Sequence, residues 1–132
     1  MAMDKPSIPE DLRRFVLTSI PSVPFLEALL LMRAAPGQAW RRDTLARRLY
    51  VREKTAEGLL ADLCTAGIAV HCDDAGADGY RYAPADTGLR ERIDRLADVY
   101  ASHLVEVTHL IHSSLDRKAQ QFADAFKWRK DS

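Results

Sequence analysis

Cysteine is scarce in this chain: Cys64 and Cys72 are the only two. They fall on an expected helix and an expected strand, not in a paired-ligand spacing, and so read as free thiols of a reducing compartment. Net charge is also missing, because nineteen Lys and Arg balance nineteen Asp and Glu. A dedicated nucleic-acid binder usually carries a basic excess, so any basic patch here depends on how the charges are distributed. The most apolar stretch, residues 23–32, is about half a membrane span and contains Glu27. Residues 1–9 have no apolar signal-peptide core. These absences make a cytoplasmic protein with no membrane partner the expectation. There is no glycine-rich phosphate loop, no placeable Ser–His–Asp or Cys–His arrangement and no internal repeat, which points away from an enzyme and from a bound cofactor.

What the chain does have is apolar content, 47% of its 132 residues. That is enough for one compact core. Ser7 and Glu10 have capping-box spacing ahead of a helix over residues 10–20, with Leu12, Phe15, Val16 and Leu17 on its apolar face. Pro21 and Pro24 punctuate the chain, and Ser22 is placed to cap the next helix. That helix, residues 25–35, is apolar almost all round and should be the central core helix. Pro36-Gly37 ends it. Trp40 stands alone before a charged stretch. A third helix over residues 43–49 turns Leu45, Ala46 and Leu49 inward, and Tyr50-Val51 makes the turn. A fourth, residues 53–66, carries Ala56, Leu59, Leu60 and Leu63 on one face, and Gly67 caps its end.

Two short strands follow, residues 68–72 and 80–83, joined by a turn-rich connector over 73–79 and closed by Pro84. A long amphipathic helix is expected over residues 89–112. Its seam is Leu89, Ile93, Leu96, Tyr100, Leu104, Val107 and Ile111. Ser113-Ser114 should break it, ahead of a short helix over 119–128 bearing Phe122 and Phe126. At about 1.5 Å per residue the long helix spans roughly 36 Å, more than one small domain needs. Its seam therefore predicts pairing with a second copy in a homodimer. The organisation is residues 1–39 as N-terminal helices, 40–84 as a helix-turn-helix with a hairpin, and 85–132 as the C-terminal helices, all in one compact domain.

The order helix, helix, turn, helix, hairpin brings a family into view. The residues are Trp40, then Leu45-Ala46-Arg47-Arg48-Leu49-Tyr50-Val51, then Ala56, Leu60, Leu63 and Gly67-Ile68, then Gly79-Tyr80-Arg81-Tyr82. This third of the chain resembles the winged helix-turn-helix superfamily of bacterial transcriptional regulators, in the broad sense that includes the MarR-like and PadR-like groups. The resemblance implies a mainly α fold with a small β-hairpin wing, N-terminal helices and a long C-terminal dimerisation helix. It also implies double-stranded DNA as a partner. The family commonly places Ser or Thr at the N-caps of both motif helices, whereas Arg41 and Arg52 stand at those positions here.

In helix-turn-helix docking the second helix enters the major groove with its N-terminal end toward the bases. The outward positions are Lys54, Thr55, Gly58, Ala61, Asp62 and Thr65. Arg52, Lys54 and Thr55 are the candidate base readers, and Arg41, Arg42, Arg47 and Arg48 the candidate phosphate anchors. Against this, residues 51–83 carry Arg52, Lys54 and Arg81 against six carboxylates, a net charge of minus three. The wing tip is acidic where a DNA-reading wing is basic. The alternative is therefore a protein-docking winged helix that has lost its DNA surface, with a protein partner. His103, Glu106, His109 and His112 recur every third residue, but such a series drifts about 60° per step, so the four cannot face one ion and no metal site is expected. His71-Cys72-Asp73-Asp74 alternates faces along a strand and is a weaker ligand set still. Residues 127–130, Lys-Trp-Arg-Lys, suit a helix C-terminus, whose dipole cations complement.

Overall fold

A computed structural model describes residues 8–74 and 76–131, with side chains for 8–74, 76–115 and 117–123. Six helices and one two-stranded antiparallel sheet succeed one another: α1 (Glu10–Ser19), α2 (Val23–Ala34), α3 (Arg42–Leu49), α4 (Glu53–Thr65), β1 (Ala69–Asp74), β2 (Ala77–Tyr82), α5 (Thr87–Ser102) and α6 (Leu104–Asp131). Phe25, Leu26, Ala28, Leu29 and Met32 of α2 are buried, so this helix is the centre of the core, as its all-round apolarity predicts. Ser22 caps it, its hydroxyl accepting from the Phe25 amide at 3.2 Å. α1 turns into α2 through 110°. Pro9 is the N-cap of α1 and makes no side-chain bond. Ser7, which the spacing places there, lies outside the described residues. Among the described residues no single helix is long and apolar enough to cross a membrane.

The motif closes through its helix ends. Tyr50 takes a left-handed conformation, φ 57°, after α3. The Val51 amide then reaches the Ala46 carbonyl at 3.0 Å. Gly67, φ 77°, follows α4. Its amide donates to Cys64 O at 3.0 Å and that of Ile68 to Leu63 O at 2.9 Å, the paired bonds of a Schellman ending that reverses the chain into β1. Ala46 and Ala56, buried where α3 and α4 approach, keep that crossing close.

The hairpin is longer than its sequence suggests. Asp73 and Asp74 pair with Asp78 and Ala77, so the acidic residues expected in a loop are strand residues. Gly76, φ 84°, supplies the left-handed turn position beside them. Trp40 adds a third, single-residue rung: its amide donates to Tyr80 O at 2.7 Å, and the Tyr80 amide to Trp40 O at 2.9 Å. Its indole is fully buried. The lone Trp before a charged stretch is thus the outer strand of the wing's base. Three helices, their turns and a hairpin edged by Trp40 make a winged helix-turn-helix.

The C-terminal segment corrects two expectations. The helix does not run unbroken over residues 89–112: it breaks at His103, where φ is −130° and ψ 42°. Nor does it end at Ser113-Ser114, since α6 continues to Asp131. The short terminal helix is the end of α6, and the side chains of residues 126–130 lie outside those described. The seam itself is spent inside the chain's own core. Ile93, Leu96, Val107 and Ile111 are each 0% exposed, and Leu89 and Tyr100 are half-buried against the same core. α5 and α6 pack against α1 to bury them. Of the seven expected dimer contacts, Leu104 alone is well exposed, at 53%.

Candidate nucleic-acid interface

Arg41 and Arg52 are indeed the N-caps of α3 and α4, and neither makes a side-chain cap bond. A guanidinium cannot accept an N–H, so neither N-cap side chain satisfies the first-turn amides; in α3 the Asp43 carboxylate accepts instead from the Thr44 amide at 2.9 Å. Around the α4 end, Arg52, Lys54 and Thr55 are exposed, as are Gly58, Ala61, Asp62 and Thr65 along the outward face. Every outward position read from the periodicity is outward. Leu59, Leu60 and Leu63 hold the opposite face in the core.

The four arginines of α3 and its N-cap do not act as one cluster. Arg41 is bound to the wing: its Nε donates to Asp74 Oδ2 at 2.8 Å and its Nη2 to the Asp74 carbonyl at 2.7 Å. Arg42 is bound to α4, with Nη1 2.7 Å from Glu57 Oε2 and Nε 3.5 Å from Glu53 Oε1. Its guanidinium is pushed above its ordinary pKa by the Glu57 hydrogen bond and by the charges of Glu57 and Glu53. Arg47 is 77% exposed and only loosely paired, 3.8 Å from Asp43 one turn away. It shares a shallow cleft with Tyr50, Val51 and Glu53. Arg48 lies toward α2, beside Glu27, Leu30 and Leu31, with its guanidinium 5.6 Å from the centre of the Trp40 ring. Of the four expected phosphate anchors, Arg41 and Arg42 are engaged by carboxylates, Arg47 is loosely paired with Asp43, and Arg48 lies over the Trp40 ring. At this exposure each ion pair is worth about 0–1 kcal/mol, so these pairs orient side chains more than they stabilise the fold.

Between α4 and the wing lies a cleft of about 440 Å³, lined by Arg41, Arg42, Asp43, Glu53, Glu57 and Asp78 with Tyr80 and Leu60 at its base. Carboxylates outnumber cations there, which gives the acidic character read from the sequence a location. On the wing, His71 Nε2 lies 3.0 Å from Asp78 Oδ1, and its ring meets Tyr80 edge-on with centroids 5.3 Å apart. Cys64 is half-buried, and burial pushes its thiol up, as an inert thiol requires. Among the described residues no three His, Cys, Asp or Glu side chains gather to hold a metal ion. Tyr50 is a surface feature that the sequence did not single out: it is 95% exposed at the tip of the α3–α4 turn. Its left-handed backbone turns the ring outward.

No family model matches the chain and no curated protein matches it in sequence. Solved structures do match in fold. The crystal structure of MepR, a transcription regulator of the Staphylococcus aureus multidrug efflux pump MepA, aligns with a TM-score of 0.54 at 13% identity, covering 92% of this chain and 90% of that one. The S. aureus MepR–DNA complex aligns with a TM-score of 0.55 at 13% identity, covering 86% and 90%. A homodimeric winged helix-turn-helix DNA-binding domain, Mb0332 from Mycobacterium bovis, aligns with a TM-score of 0.53 at 18% identity, covering 77% and 94%. At these identities the likeness is one of fold, and by fold the chain is a winged helix-turn-helix protein.

Proposed function

We propose that the chain is a cytoplasmic, homodimeric transcriptional regulator, without enzymatic activity, that binds duplex DNA through the N-terminal end of α4. The observation that carries this reading is the set of exposed side chains around that end: Arg52, Lys54 and Thr55, with Arg47 across the turn. Arg52 and Lys54 suit guanine edges or phosphates, Thr55 suits either, and Arg47 suits the backbone. The likeness in fold to MepR, which has been solved bound to DNA, supports it.

The test is retardation of duplex DNA from the neighbourhood of the coding region, across salt concentrations. Arg52→Ala with Lys54→Ala is expected to weaken binding at least tenfold, the loss of one or two contacts worth about 1–3 kcal/mol each. The same pair should flatten the salt dependence, because each lost phosphate contact removes about 0.9 from the slope. The acidic cleft favours one other reading, a protein-docking winged helix. Complete indifference to duplex DNA at low salt would turn the assignment to it.

A further inference from the structure

We propose that Arg41 is a positioning residue that fixes the wing for DNA, rather than one of the phosphate anchors. The inference rests on the DNA reading of α4, and its argument starts from the path of the chain. Trp40 pairs with Tyr80 of β2, and β2 in turn pairs with β1. Asp74 ends β1 and so lies one strand beyond β2 as seen from Arg41. Arg41 nonetheless reaches it with two bonds, one to the carboxylate and one to the backbone carbonyl.

Gly79 makes this reach feasible. A Cβ at Gly79 would lie 3.0 Å from the Asp74 Cβ and 3.4 Å from Cys72 O. Asp74 and Gly79 are diagonal neighbours in the register, which are ordinarily several ångströms farther apart. The hairpin is therefore coiled until Asp74 lies across the bare backbone of Gly79, toward the N-cap of α3. Arg41 binds it there. The planar guanidinium fork makes both bonds from one side chain, and an ammonium cannot reproduce that arrangement. One edge of the wing is thus held by the Trp40 rung and its tip by Arg41, both within two consecutive residues.

The positioning and anchor roles predict different outcomes, of opposite sign for Asp74→Asn. If Arg41 positions the wing, Arg41→Lys and Asp74→Asn each weaken duplex binding by about two- to fivefold, the scale of an exposed ion pair. Combining them adds little to either alone, and the salt slope stays near that of the wild type. If Arg41 is an anchor, Arg41→Lys keeps its charge and its affinity, Arg41→Gln lowers the slope by about 0.9, and Asp74→Asn tightens binding by removing a carboxylate from the phosphate surface. Amide hydrogen exchange on the free protein supplies a readout independent of DNA. Arg41→Lys, Asp74→Asn and Gly79→Ala are all expected to speed exchange at the amides of residues 74–79 while α2 remains protected. Unchanged exchange in the first two overturns the proposal even if DNA binds. Faster exchange in a protein that ignores DNA keeps the strut and removes only the function assigned to α4.

Discussion

Tyr82 carries its hydroxyl into the core, and among the described residues no partner meets it. Burial pushes the phenol's pKa up, consistent with a group cut off from water. A buried hydroxyl without a partner costs about 1–3 kcal/mol relative to one that is satisfied. Tyr82→Phe is therefore expected to leave stability unchanged or raise it by up to about 1 kcal/mol in urea unfolding. A clear loss would mean that the hydroxyl is hydrogen-bonded after all. At this scale the sequence was partly legible. Tyr80-Arg81-Tyr82 alternates apolar and charged residues, and Arg81 is exposed between a half-buried and a buried tyrosine. The exposed cations of α4 followed from helical period. The partners of Arg41 and Arg42 did not, because they lie 33 and 15 residues away and leave no local pattern.

At the scale of the elements, α1 and α5 are tied by Asp11 and Arg95, the second bond of the pair being Nη2 to Oδ1 at 3.1 Å. Arg95, hydrogen-bonded to Asp11, holds that carboxyl below its ordinary value of 3.8. A carboxyl lowered on folding lends stability above its unfolded pKa and withdraws it as pH falls through the folded one. Melting temperatures of the wild type and Asp11→Asn should thus differ most at neutral pH and converge below about pH 4. A constant difference would place the effect of the substitution elsewhere. Most elements were readable because their apolar periods are clean: α2, α3 and α4 start and end within about two residues of expectation. The single-residue strand at Trp40 is too short to show a period. The break at His103 follows Tyr100-Ala101-Ser102, none of which is a helix breaker. Ser113 and Ser114, taken as a stop, are tolerated within a helix.

At the scale of the whole molecule, α6 outlasts the core that it helps to build. Ile111 is fully buried, while Leu115, on nearly the same face one turn on, is 41% exposed, and Phe122 further along is 70% exposed. Leu104 and Val105 are exposed at the other end, 53% and 78%. Leu104, Val107, Ile111, Leu115 and Phe122 thus form one apolar stripe that enters the core and leaves it again, with Val105 about 100° to one side, which favours a second copy over solvent as its cover. Sedimentation is expected to find a dimer at micromolar concentration, and Val105→Glu with Leu115→Glu to leave a folded monomer. A wild-type monomer would end this reading. The long apolar face was legible in outline; the layer that covers it was not, because periodicity identifies an apolar face without saying what packs on it.

The break at His103 also has a mechanical side. Val107 to Ile111, the part of α6 gripped by the core, is about 6 Å long, whereas Ile111 to Phe122 is about 17 Å. The helix is a crowbar with its short arm clamped and its long arm outside, giving leverage of nearly three. A sideways push at the far end is felt inside as a larger force over a smaller distance. It arrives beside the break at His103, which two backbone bonds bridge, the His103 amide to Val99 O at 2.7 Å and the Val107 amide to His103 O at 3.0 Å.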